Sequence, residues 1–143
     1  VGALRRVVGL AGASEPQQPV GLTFGERLRL VGYDLQLATG ASDGMIRVTL
    51  HWQAEAPLSE NYTTFMHLLS ESGEKVAQSD HLPGGVYYPT SLWKVGETLW
   101  DTHTLNVGPE MSEGRYHILV GLYQSPPLQH LGEPTIVGEV TMH

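Results

Sequence analysis

Residues 46 to 54 alternate so regularly between apolar and polar side chains that one secondary structure accounts for them. Ile46, Val48, Leu50, Trp52 and Ala54 share one phase; Arg47, Thr49, His51 and Gln53 share the other. Successive side chains of a strand point to opposite faces, so the pattern predicts a half-buried antiparallel strand with the first set inward and the second facing water. A helix would need apolar residues three and four apart, a spacing hard to find anywhere in the chain. Near the C-terminus, Tyr116, Ile118, Val120 and Leu122 repeat the two-residue period.

The remaining apolar runs are strand-like with irregularities. Across residues 27 to 37 the apolar phase runs through Leu28 and Leu30, then moves to Val31, Tyr33, Leu35 and Leu37. A shift of one residue beside Gly32 predicts a β-bulge or a bend. Tyr62 to Leu69 is apolar in both phases, as suits a central strand covered on both sides. Leu99 to Val107, Pro134 to Met142 and a shorter run from Glu74 to His81 complete the set.

Turn residues separate these runs. Residues 39 to 44 and Pro83-Gly84-Gly85 are loops, and Glu71-Ser72-Gly73-Glu74 is a hairpin connection. Gly108-Pro109 and Ser125-Pro126-Pro127 mark further breaks. About eight short strands so spaced predict an all-β fold, an antiparallel two-sheet β-sandwich of the immunoglobulin-like or jelly-roll kind. The 143 residues suit a single domain over 1–143, with residues 1–19 expected to supply an N-terminal strand and a loose connector, Ala11 to Pro19.

Charge and composition exclude several functions. Fifteen acidic residues against eight basic ones leave a net charge of −7, and Lys75 and Lys94 are the only lysines. A nucleic-acid partner needs clustered cations to neutralise phosphates, so none is expected. The chain has no cysteine, which removes disulfides, thiolate metal sites and cysteine nucleophiles. No apolar stretch approaches the roughly 18–20 residues that span a bilayer. Arg5 and Arg6 interrupt the first apolar run where a signal peptide would place its cations ahead of it. With Val1 at the start instead of Met, the chain is expected to be a piece of something longer.

Several short segments, taken in order, carry a family likeness. They are Phe24-Gly25-Glu26, Leu30-Val31-Gly32-Tyr33-Asp34, Leu50-His51-Trp52-Gln53-Ala54, Phe65-Met66-His67-Leu68-Leu69, Tyr88-Pro89-Thr90-Ser91-Leu92-Trp93, Gly96-Glu97 and Val120-Gly121-Leu122-Tyr123. The likeness covers roughly residues 20 to 124. The chain resembles the C-terminal extracytoplasmic β-sandwich of bacterial membrane glycosyltransferase-like proteins, of the dolichyl-phosphate-mannose and aminoarabinose transferase type. The resemblance implies an accessory module outside the cytoplasm, attached to a membrane protein. It implies no transferase activity here, because that family's chemistry sits in a multi-pass membrane domain. The candidate partners are glycan and the parent's membrane domain.

Three constellations are candidates for chemistry. The seven histidines include no pair two apart on a strand face or four apart on a helix, so neither a metal nor another cofactor is expected, unless residues distant in sequence converge. Asp80, His81, Asp101 and His103, with Ser79 and Ser91 nearby, supply the groups of a small hydrolase. They lack a nucleophile elbow, so the domain alone is expected to be non-catalytic. The third is the loop from Asp80 to Trp93, which carries Tyr87, Tyr88 and Trp93 beside Asp80 and His81. As a ligand site it would stack rings on a sugar and bond hydroxyls with its polar groups. The plainer reading buries Trp93 as closure of the core. A non-catalytic binding or scaffolding module thus leads, with the hydrolase and a purely structural domain as rivals.

Overall fold

The computed structural model describes residues 15–38, 44–85, 87–107, 113–125 and 128–142. The expected strand at the N-terminus, and the connector as far as Ser14, lie outside these residues. Nine strands are described: β1 (Gln18–Phe24), β2 (Leu28–Ala38), β3 (Met45–Ala54), β4 (Thr63–Ser70), β5 (Lys75–His81), β6 (Thr98–Asn106), β7 (Gly114–Gln124), β8 (Gln129–His130) and β9 (Thr135–Met142). A 3₁₀ turn at Thr90–Leu92 is the one helical element among the described residues.

All pairings are antiparallel and fall into two sheets. One has the order β1-β2-β3-β6, and the other β9-β7-β4-β5 with β8 added beside β7. The chain crosses between sheets after β3, β5 and β6. This wiring places β2, β3 and β6 as strands A, B and E of an immunoglobulin-like sandwich. The facing strands β9, β7, β4 and β5 are then G, F, C and C′, with β1 outside the pattern. Of the two sandwich kinds expected, this order selects the immunoglobulin-like one.

The period-two residues face each other across one core. Ile46, Val48, Leu50 and Trp52 from β3 meet Ile118, Val120 and Leu122 from β7, all fully buried. The phase shift at Gly32 is a bulge: β2 advances from Leu30 to Gly32 while β3 advances only from Trp52 to His51. Gly32 is also where β1 comes close, since a Cβ there would lie 2.4 Å from the Gln18 carbonyl oxygen. β4 is central and buried on both faces, through Met66 and Leu68 inward and Phe65 outward.

Two expectations need correction. The connector does not run to Pro19, because β1 already begins at Gln18 and pairs Gln18 with Tyr33. His51 does not face water. It is 2% exposed, its Nε2 lies 2.9 Å from Asp34 Oδ2, and its ring lies 5.4 Å from that of Trp100 on the neighbouring strand. A strand's outer face is solvated only where nothing covers it.

Candidate functional site

The loop after β5 separates the rings that the sequence set close together. Trp93 is 5% exposed and belongs to the core, its Nε1 donating to the Tyr88 carbonyl at 2.8 Å. Tyr88 is half-buried and its hydroxyl donates to Glu97. Tyr87 is 93% exposed. The three rings form no shared face: one closes the core, one is pinned against the loop, and one stands in solvent. Thr90 fastens the loop from beneath, with its hydroxyl donating to the Glu60 carbonyl and accepting from the Tyr62 amide.

Asp80 and His81 belong to two different clusters. Alternation along β5 carries Asp80 outward and His81 inward. On the outer face, register brings Phe65 of β4 opposite both Asp80 of β5 and Gly121 of β7. Gly121 has no side chain, so the Phe65 ring lies over its backbone; a Cβ there would stand 2.4 Å from that ring. Around Phe65 gather His67 at 5.1 Å, Tyr123 at 5.9 Å and His130 at 5.9 Å between ring centroids. The Tyr123 hydroxyl donates to Asp80 Oδ2 at 3.0 Å, and Gln78 Nε2 donates to Asp80 Oδ1 at 3.1 Å. Burial, then the Asp80 hydrogen bond, pushes the Tyr123 phenol up from its ordinary value. Four rings, a carboxylate and an amide thus share the outer face.

Inward, His81 reaches across the gap between the sheets to β6, the edge strand of the other sheet. Its Nε2 donates to Asp101 Oδ1 at 2.5 Å, while His103 Nε2 donates to Asp101 Oδ2 at 3.1 Å. Trp52 Nε1 donates to the same Oδ2 at 3.2 Å, and His103 Nδ1 lies 2.9 Å from Ser79 Oγ. The two imidazoles stack with centroids 3.9 Å apart and planes 15° from parallel. Asp101 is 3% exposed, and burial opposes its charge; the hydrogen bonds from His103 and His81 prevail and hold its carboxyl well below the usual range. The bond to Asp101 raises His81 against the opposing effect of burial.

Of the four residues considered for a hydrolase, this cluster unites His81, Asp101 and His103 and leaves Asp80 on the opposite face. Asp101 and His103 are two apart and so share a strand face. That mixed carboxylate–imidazole pair is the local signal the sequence carries for this cluster. The approach of β5 to β6 has no local signal. Nor does the outer aromatic group, whose members come from three strands.

No protein-family model matches the chain, and neither does any curated protein sequence. Among solved structures it is similar to a β-glucuronidase from glycoside hydrolase family 2, with TM-score 0.56 and 15% sequence identity. The match covers 76% of this chain and 11% of that one, a likeness of fold to one small part of a large enzyme.

Proposed function

We propose that the chain is a non-catalytic accessory module that binds carbohydrate on the outer face of its five-stranded sheet. The carrying observation is the group around Phe65: that ring is only 6% exposed and backs the half-buried Tyr123 and His67 and the exposed His130, with Asp80 and Gln78 beside them. A sugar presents an apolar C–H face and a rim of hydroxyls; rings suit the first, and carboxylate, amide and imidazole groups the second. The fold likeness to one part of a β-glucuronidase, an enzyme whose name places it among glycoside hydrolases, agrees in kind. We further propose that the module serves an extracytoplasmic, membrane-attached sugar-transfer protein, as the family resemblance implies.

Open sheet faces bind sugars weakly, because each hydroxyl exchanges water for protein at small net gain. Dissociation constants near the millimolar range are expected for short oligosaccharides. The test is a glycan array followed by nuclear magnetic resonance titration of wild type, Tyr123→Ala and His130→Ala. Amide shifts should concentrate on β4, β7 and β8 and be lost in Tyr123→Ala. Shifts confined to the loop around Tyr87, or no glycan binding at all, would reject the outer face.

A further inference from the structure

Asp101 is an ionised group almost sealed from water, and it is met among the described residues by three N–H donors, on Trp52, His81 and His103. Holding a carboxylate away from water is costly, and buried carboxylates are commonly paired or bound to a metal. From this geometry we infer that His81, Asp101 and His103 form a binding site for a borderline divalent transition metal, zinc foremost.

The donor set supports that class of ion. Two imidazole nitrogens and a carboxylate oxygen, all within 4.8 Å of one another, are ligands of zinc and its transition-metal neighbours. Calcium and magnesium prefer all-oxygen shells and are disfavoured here. Three protein ligands leave a further position for water.

The surroundings provide the supports that metal ligands need. Trp52 Nε1 fixes one carboxylate oxygen. Ser79 Oγ holds the far nitrogen of His103, and a hydroxyl can donate or accept. It therefore stays bonded when the His103 proton moves from Nε2 to Nδ1 and frees Nε2 for the metal. Such outer partners orient ligands and select the tautomer. Thr64, fully buried and paired in register with His81, has a hydroxyl with no hydrogen-bond partner among the described residues.

Entry is from the side. His103 is fully buried, whereas the His81 side chain is 37% exposed on the edge strand of its sheet. The stacked rings direct their lone pairs along nearly parallel planes, so both cannot address one ion as they stand. Binding therefore requires the His81 ring to turn out of the stack, the motion open to the exposed member of the pair.

The test is zinc titration of the chelator-stripped 143-residue chain by calorimetry, with a thermal melt alongside. One zinc per chain, a dissociation constant of about 10 μM or tighter and a raised melting temperature are expected. Ser79→Ala should weaken binding about 10–100-fold, the usual effect of removing an outer partner. His81→Ala should weaken it more, and His130→Ala not at all. In wild type, zinc should shift the imidazole ¹⁵N resonances of His81 and His103 and spare those of His67 and His130, which needs no variant to fold. Calcium and magnesium should produce neither response. Undiminished zinc affinity in His81→Ala, or imidazole shifts confined to other histidines, would overturn the site; so would the absence of binding at about 100 μM zinc, tenfold above the expected constant.

Discussion

Asp80 and His81 are consecutive in β5 and end on opposite sides of the sheet, Asp80 accepting from Tyr123 outside and His81 donating to Asp101 inside. Changes at the two positions should therefore have separable effects. Asp80→Asn should weaken saccharide binding several-fold while leaving zinc affinity intact. Its stability should change by less than about 1 kcal/mol, since exposed polar pairs contribute little. Calorimetry with both ligands and urea denaturation would decide it, and a loss of both affinities together would show that the faces are coupled.

Trp52 fills the core and also supplies a donor to Asp101. Trp52→Ala should cost about 3–5 kcal/mol through the cavity it leaves. Trp52→Phe keeps much of the ring but removes the donor beside a buried charge, a loss of about 1–3 kcal/mol. Chemical denaturation distinguishes them; equal costs would mean that packing alone matters.

In the loop, one ring should be dispensable and another not. Tyr87→Ala should change stability by no more than about 0.5 kcal/mol, as an exposed site away from any special feature. Trp93→Ala should cost about 3–5 kcal/mol. Thermal melts of the two variants would settle this, and comparable shifts in both would contradict the burial of Trp93.

Gly121 leaves no room for a methyl group under Phe65. Gly121→Ala should push that ring outward at a cost of about 1–3 kcal/mol, typical of overpacking. The ring-current shifts of His67 and Tyr123 should change with it. A crystal structure of the variant with Phe65 unmoved would refute the close approach.

His67 gives the outer face a pH response of defined sign. Burial, and then Lys75, pushes its imidazole below the ordinary value, with Asp80 partly offsetting them. The folded form thus binds its proton less readily than the unfolded form. The contribution to stability is complete above the unfolded value of about 6.5, declines as pH falls from there to the folded value, and then levels off. A proton resonance titration should place the His67 midpoint below about 6.5, and His67→Gln should flatten the melting temperature across that window. A midpoint above that value would reverse the argument.

What was legible in the sequence was what a single strand encodes. Ile46 to Ala54 declared its inner face because each alternate side chain must be apolar, and the bulge showed as a slip of phase at Gly32. Hairpins closed by nearby residues, such as Ser70 to Lys75, were legible for the same reason. β1 and the two-residue β8 were missed, because Pro19 and Gly21 in one, and the brevity of the other, break the pattern. Both side-chain clusters depend on which strands lie together. Phe65, Tyr123 and His130 meet through register across β4, β7 and β8, and His81 meets Asp101 through the apposition of two sheet edges. Strand order of that kind is a property of the whole chain, and no local window contains it.

The pairing of β3 with β6 has a consequence for how the molecule assembles. Trp52 lies opposite Leu99, and the chain between them first builds β4 and β5 in the other sheet. The edge of the first sheet therefore cannot zip up by extending a hairpin; it must wait for a long loop to close. Closure entropy is lost before those contacts repay it, which places folding in the millisecond-to-second range common to sandwiches of this type. During that wait β3 has one edge without its partner, and newly made chains are most open to pairing with one another there.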